Sequence, residues 1–576
     1  MRRIDFINGK LFATVACMLV VAGPAWGADA PGQGLKALER THEVPVIKQN
    51  TTPPNSANPV PDQENLVPVK KILVNKFKVK GNTLLSEADI RSVLGPLEGK
   101  ELSLDDLKGV ADLLTAKYRD AGYLIAAAYV LEQSIIDNTV IITVVEGYVG
   151  DVSIQNNKHY SSSFILRHLS FLKDEKTLEE EKLERQLLIL NDYPGLTIQA
   201  SLMAGKTPGA TDIIATVNDR FPISGSMTYD NYGVDTTSKH RASVALDVGN
   251  LIMSGDLVTL RGILGLHTID LNKSSYGRFE YLAPIGGNGL QMGAYVTNSI
   301  YAAGAALAPL EINGSALIAG AYASYPIIRK RDETLSTRLV FEYGSMKNNM
   351  LTIRDNHDEI RKLVFNASYD LVDRYLGRNF IGFSYSRGLG ALLGGTASGD
   401  IVTSDGSSYP GADNTFNKFT VDAMRIQKIS GYYSNLTARV SGQYSPNRLF
   451  LSEQFSIGGV GTIRGFDPAT LSGDSGLLGS LELASSPLFP NTVIPVINQR
   501  IEDTIKFALF TDYGAVFPTD PQASEVTWDH LWSVGVGARL YVGRYFTCKF
   551  DWAAPSHNGG LNGKLSKYYI QATLSF

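Results

Sequence analysis

From about residue 220 to the last residue, Phe576, apolar and polar side chains alternate in short runs separated by Gly, Asn, Asp and Ser clusters. This pattern constrains the fold more than any other, because a period of two gives each strand one apolar and one polar face. Typical runs are Ser226–Asp230, Ala242–Val248, Ser275–Tyr281, Leu317–Tyr325, Leu335–Tyr343, Val364–Tyr369 and Phe380–Tyr385. Others follow at Lys418–Ile426, Leu436–Tyr444, Ser480–Leu483, Ile505–Phe510 and Leu531–Leu540. In the last run Tyr568, Ile570, Ala572, Leu574 and Phe576 share one face, and Tyr569, Gln571, Thr573 and Ser575 share the other. A soluble sandwich or propeller would also alternate. Aromatics near the strand ends and a leader sequence at the N-terminus favour a membrane β-barrel. About 350 residues at about 20–24 per strand and loop predict about 16 antiparallel strands, enough to enclose an aqueous channel. A barrel must pair its last strand with its first, which makes Phe576 a candidate C-terminal barrel signal.

The leader spans residues 1–28. Arg2, Arg3 and Lys10 supply its charge, Leu11–Ala22 its apolar core, and Ala25-Trp26-Gly27 small residues for cleavage after Gly27 or Ala28. The apolar run is too short for a membrane anchor, and no later stretch reaches the length of a helical span. Cys17 leaves with the leader, so Cys548 has no internal partner for a disulfide. A formal net charge of -4 gives no reason to expect nucleic acid. The 55 glycines and 27 tyrosines suit a barrel, where turns use glycine and interfaces use aromatics.

Between leader and barrel the period changes. Residues 29–44 hold a short candidate helix, and residues 45–70 are rich in proline and read as an extended linker. Residues 71–147 then predict strands, two helices and two strands. The second helix, Leu104–Tyr118, places Leu107, Val110, Ala111, Leu114 and Tyr118 on one face. Residues 148–219 repeat the order β-α-α-β-β, with helices at 163–172 and 178–190. Two small α/β domains in direct succession leave little room for a flexible joint.

Within the barrel region one passage stands apart: Ile457-Gly-Gly-Val-Gly-Thr-Ile463-Arg464-Gly465-Phe466, a glycine-dense turn carrying one arginine. Phe510-Thr-Asp512-Tyr-Gly514 follows in a strand. These two motifs, with Ala121-Gly-Tyr123, Val144-Val-Glu-Gly147 and Arg185–Leu196 ahead of them, are similar to the outer-membrane transporters of two-partner secretion. That is the hemolysin and filamentous-hemagglutinin secretion/activation family within the Omp85 superfamily. The resemblance covers the whole mature chain and implies that 71–147 and 148–219 are periplasmic POTRA domains. It implies a plug helix at 29–44, and a loop that carries Ile463, Arg464, Gly465 and Phe466 back into the barrel towards Phe510, Asp512 and Gly514. It further implies export of an unfolded partner exoprotein, hemolysin-like or adhesin-like, from the periplasm of a Gram-negative cell. The chain would sit among outer-membrane lipid and lipopolysaccharide, after insertion by the barrel-assembly machinery.

Two expectations follow for binding. Arg464 would meet Asp512 through two hydrogen bonds, and an open sheet edge in the tandem domains would receive the partner's extended chain. Leu183, Leu187 and Leu190 are candidates to line an apolar groove beside that edge, with core packing as the alternative. No nucleotide-binding loop is present, since Gly458-Gly-Val-Gly461 lacks a following Lys-Ser/Thr. His530 beside Asp529 lacks the surroundings of a catalytic triad, and no His-Glu-x-x-His zinc motif occurs. The expected reading is therefore a transporter with no catalytic residue, metal or cofactor. An Omp85-type insertase and a passive porin are the alternatives, the first expected to carry more POTRA domains and the second to need none.

Overall fold

The computed structural model describes residues 48–49, 71–267, 271, 273–351, 353–396, 407–429, 435–485, 491–495, 497–522, 525–555 and 566–576. The leader and the candidate plug helix lie outside the described residues, as does the linker apart from Lys48–Gln49. The chain divides into two compact units, one holding the tandem small domains and the other the barrel.

In the first small domain Lys76–Lys80 runs parallel to Thr139–Val145, which pairs antiparallel with Ala127–Tyr129. The helix Leu104–Asp120 starts at a capping box: Ser103 Oγ accepts from the Asp106 N–H, and the Asp106 carboxylate accepts from the Ser103 N–H. Its face of Leu107, Val110, Ala111, Leu114 and Tyr118 is buried, as the sequence predicts. The strand Lys100–Leu102, paired with Ile72–Val74, is too short for alternation to reveal.

The second domain has the order Tyr148–Gln155, helix Ser162–Leu169, helix Glu180–Asn191, Leu196–Ala204 and Ala210–Asp219. The first helix ends at Leu169 rather than 172 and continues as a tight 3-10 turn over Ser170–Asp174. Lys48–Gln49 pairs in parallel with Leu196–Ala204, so the linker supplies the outermost strand of this sheet.

The joint between the two domains is bonded on both sides. Glu146 accepts from the Thr83 and Leu84 N–H groups at 2.5 and 2.9 Å, and its own carbonyl accepts from Thr177 Oγ1 at 2.8 Å. The Glu180 N–H donates to the Gly122 carbonyl at 2.8 Å. Gly147 has φ +70°, and an added Cβ would lie 2.9 Å from the Ile125 carbonyl oxygen. The Val-Val-Glu-Gly motif therefore marks a crowded corner where the chain turns from one domain into the next.

The barrel is a closed antiparallel sheet of 16 strands. They are Ile223–Asp230, Arg241–Gly249, Leu257–Gly265, Ser274–Ile285, Leu290–Ala302, Asn313–Arg329, Glu333–Met350 and Ile353–Val372 in its first half. Arg378–Gly388, Asn417–Lys428, Asn435–Tyr444, Ser475–Ser485, Ile505–Phe517, Asp529–Val542, Phe546–Pro555 and Lys567–Ser575 make its second. Each strand pairs with the next, and the last closes on the first from Ser226↔Ser575 to Asp230↔Gln571. Val296, Leu339, Phe365, Leu481, Leu509, Val536 and Leu574 are exposed, whereas Arg278, Glu342, Lys362, Asp512 and Asp551 carry little exposed area. An apolar outside around a charged inside is the pattern of a barrel in lipid. Among the described residues no helix is long and apolar enough to cross a membrane, so any crossing is made by strands.

The core of the second domain holds His168 with no exposed surface. Its Nδ1 lies 3.0 Å from the Phe164 carbonyl and must donate to it, which leaves Nε2 to accept from Tyr193 Oη at 3.1 Å. Burial holds this imidazole below the usual histidine pKa. The unfolded chain therefore binds a proton near pH 6.5 that the folded domain refuses, so His168 costs stability as pH falls below that point. Thermal melting of the segment 71–220 between pH 7.5 and 5 should show this slope. In His168→Gln its slope should be shallower by up to about 1.4 kcal/mol per pH unit.

Candidate functional site

The motif Ile457–Phe466 lies on an inward-folded hairpin between the strands Asn435–Tyr444 and Ser475–Ser485. Phe455–Ile457 pairs with Leu471–Gly473 to make its stem. Gly458 and Gly459 have φ +112° and +93°, and Thr462 Oγ1 both accepts from the Gly458 N–H and donates to its carbonyl. This local knot reverses the chain and presents Ile463 and Arg464 to the wall.

Arg464 is 7 % exposed and meets Asp512 face on. Nε donates to Oδ2 at 2.7 Å, Nη2 to Oδ1 at 2.9 Å, and the Arg464 backbone N–H to Oδ2 at 3.2 Å. This is the two-bonded fork expected from the sequence, with a third bond from the backbone. Ser480 Oγ donates to the same carboxylate at 2.7 Å. The remaining guanidinium nitrogen, Nη1, reaches Glu482 at 2.7 Å and lies 3.9 Å from Asp551. The guanidinium carbon sits 3.3 Å from the centroid of the Phe510 ring, a stacked cation–π contact.

The neighbouring motif residues have separate tasks. Gly465 has φ +97°; its N–H donates to Tyr569 Oη at 2.9 Å, and that hydroxyl donates to the Phe466 carbonyl at 3.1 Å. Ile463 and Phe466 are buried with Ile457, Leu478, Val516 and Leu531. A Cβ at Gly514 would lie 3.1 Å from Ile463 Cδ1 and 3.3 Å from Ile457 Cγ2, so the glycine lets the hairpin approach the wall. Phe510, Asp512 and Gly514 thus share the inner face of one strand: the first two receive the Arg464 guanidinium, and Gly514 receives Ile463 and Ile457.

The residues that complete the cluster were not singled out by the sequence. Arg539 donates to Asp551 at 2.6 Å and to Glu482 at 3.3 Å, and Lys549 is buried beside them, its Nζ making no hydrogen bond among the described residues. Each is a charged residue at an inward position of an alternating strand. Alternation shows that such a residue faces the lumen, but only the register brings residues from four strands together.

Phe576 joins the barrel seam, its N–H and carbonyl exchanging bonds with Gly225 at 3.0 and 3.1 Å. Leu183, Leu187 and Leu190 must be corrected. All three have no exposed area and form the core of the second domain with Ile165, Leu169, Ile198 and Ile213. They line no surface groove, because the face of Glu180–Asn191 that carries them packs under the sheet. Among the described residues no group of three or more His, Cys, Asp or Glu side chains is arranged to hold a metal ion.

A closed 16-stranded barrel with a charged lumen, an inward hairpin and two small α/β domains is the architecture of an outer-membrane barrel protein. The family model of the haemolysin secretion/activation protein ShlB/FhaC/HecB matches residues 209–540, and that of the ShlB-type POTRA domain matches residues 72–147. The chain belongs to this haemolysin secretion/activation family. It is 26 % identical over 501 residues to the heme/hemopexin transporter protein HuxB of Haemophilus influenzae, covering 85 % of this chain and 84 % of that one. It is 24 % identical over 508 residues to the outer membrane transporter CdiB of Escherichia coli O6:K15:H31, covering 84 % and 80 %. The solved structure of CdiB from Escherichia coli superposes with a TM-score of 0.70 at 18 % identity, over 95 % of this chain and 97 % of that one. CdiB from Acinetobacter baumannii gives 0.63 at 17 % identity with the same coverage. The chain is thus a two-partner secretion transporter of the outer membrane, with its POTRA domains in the periplasm.

The burial of Leu187 gives a direct check on the corrected assignment. Leu187→Ala should destabilise the second domain by about 2–5 kcal/mol, the usual cost of a cavity at such a site. Chemical unfolding of the segment 71–220 would measure it, and an unchanged midpoint would contradict the core assignment.

Proposed function

We propose that this transporter captures an extended, unfolded exoprotein in the periplasm and passes it through the barrel to the cell surface, with no nucleotide and no catalytic step. Its relatives are named for heme/hemopexin and hemolysin transport, and the cargo proposed here is likewise a large hemolysin-like or adhesin-like partner. The observation that carries the reading is the hairpin held inside the lumen by Arg464 on Asp512. A hairpin located by a polar fork can be released without breaking the wall, because the fork supplies none of the hydrogen bonds between the wall's strands. Forward movement would come from folding of the partner as it emerges. Lipid and lipopolysaccharide surround the barrel, and the terminal strand ending in Phe576 is the feature the barrel-assembly machinery would read.

Capture is proposed at the sheet edge of Leu196–Ala204. That edge is the one paired with Lys48–Gln49, which supports its fitness for an added strand. The Ala127–Tyr129 edge is less suited, because the Ala128 N–H already donates to Thr115 Oγ1 at 2.9 Å. The partner's chain would replace the linker strand, main chain for main chain.

Arg464→Ala and Asp512→Ala should each leave a folded, inserted barrel while reducing export of the partner at least about tenfold, the equivalent of about 1.4 kcal/mol. The swapped pair Arg464→Asp/Asp512→Arg should recover part of the loss. Export measured by immunoblot of medium against periplasm checks both, and normal export by the single variants would remove the latch. A disulfide between Gln49→Cys and Leu202→Cys, which face each other in the ladder, should block export in a Cys548→Ser background until reductant is added. A partner altered so that it cannot fold outside should stall in transit; its undiminished release would exclude folding as the driving force.

A further inference from the structure

The hairpin has a second attachment, far around the wall from Arg464. Glu453, at the root of its first limb, is buried between two lysines of different strands. Lys362 Nζ lies 2.5 Å from its Oε1, and Lys418 Nζ is paired with its Oε2. Lys362 also pairs with Glu342 at 2.8 Å. The side chains are nearly dry, with 4 % of Glu453, 13 % of Lys362 and 14 % of Lys418 exposed. These partners stand on the seventh, eighth and tenth strands, whereas Arg464 engages the twelfth, thirteenth and fifteenth. The loop therefore spans the lumen between two arcs of the wall.

The two attachments differ in what they leave behind when broken. Withdrawing Arg464 would leave Asp512 with the Ser480 hydroxyl, while Glu482 and Asp551 keep Arg539. Withdrawing Glu453 would leave Lys362 and Lys418 buried with only Glu342 within ion-pair distance among the described residues. Breaking a dry pair from one side is costly at either attachment, since the stranded charge has no water to replace its partner, and at the root two lysines lose their partner together. The root is also braced. Gln443 Nε2 donates to the carbonyls of Glu453 and Asp474 at 3.0 Å each, tying both limbs together. Asp474 accepts from the Leu449 and Thr519 N–H groups at 2.8 and 2.7 Å.

We infer that Glu453, held by Lys362 and Lys418, is the fixed pivot of the lumen hairpin, so that the Arg464 end swings free while the root stays on the wall. The loop then opens the channel as a hinged flap and is not expelled as a whole. Glu453 acts as a positioning residue for export. The inference builds on the latch reading of Arg464.

Spin-label distances in the full-length protein, purified in detergent with Cys548→Ser, test it. One label goes at the tip, Gly461→Cys, where an added Cβ meets nothing within 4 Å. Another goes near the root, Ser472→Cys, and both are read against Asp332→Cys in a tight turn at the opposite end of the barrel. In Arg464→Ala the tip distance should broaden and shift by about 10 Å, within the reach of a limb rising about 3.3 Å per residue. The root distance should stay as in the parent. In Glu453→Gln/Lys418→Met, which keeps the Lys362–Glu342 pair, the root distance should broaden and export should fall although Arg464 is intact. A root that moves with the tip in Arg464→Ala overturns the pivot, as does an unmoved root in the double variant. If the double variant fails to assemble, the Arg464→Ala pair of distances decides alone. A tip that stays put in Arg464→Ala, with normal export, overturns the latch reading and the pivot with it.

Discussion

An unpaired backbone group cannot be left facing hydrocarbon, and this requirement underlies nearly every feature of the barrel. It forces the last strand onto the first, so that Gly225 and Phe576 exchange main-chain bonds at the seam. It also makes the strands alternate, because one side chain in two faces lipid and the next faces the lumen. The lumen then holds the charged residues of 16 strands in a confined space. There they pair with one another: Arg278 with Glu280, Lys362 with Glu342, and Arg539 with Asp551.

A lumen lined with paired charges is a suitable floor for a polar hairpin and a poor one for an apolar plug. The hairpin presents one arginine to one carboxylate and places small residues wherever its backbone must come close. Gly465 turns the chain against Tyr569, and Gly514 clears the wall beneath Ile463. Apolar contacts of Ile463 and Phe466 set the depth of insertion, while the ionic fork sets its registration. The division suits the proposed release of the hairpin, since ion pairs exchange partners with water more readily than a packed core is rebuilt.

The tandem domains follow a different logic. Their stability comes from two small apolar cores, one in each domain. The Glu146 carbonyl accepts from Thr177 Oγ1 and the Gly122 carbonyl from the Glu180 N–H, so the domains are bonded directly across their joint. The misread leucines illustrate the difficulty of such domains. An amphipathic helix with three leucines on one face looks alike in sequence whether that face meets its own sheet or a foreign chain. Burial of Leu183, Leu187 and Leu190 decides for the sheet.

The sequence by itself determined the local and periodic features: strand alternation, the strand number, the β-α-α-β-β order of the second domain, and the Arg464 and Asp512 motifs. These are encoded within a few residues, because the backbone's own period of two or 3.6 writes them directly into the chain. Only the tertiary structure decided which inward residues share a neighbourhood. Glu482, Arg539, Lys549 and Asp551 surround the Arg464–Asp512 fork, and Lys362 and Lys418 close on Glu453, through registers fixed by the whole ladder. A shift of one residue in any strand would turn each of those charges out into lipid, so their meeting is a property of the closed sheet and of no single segment.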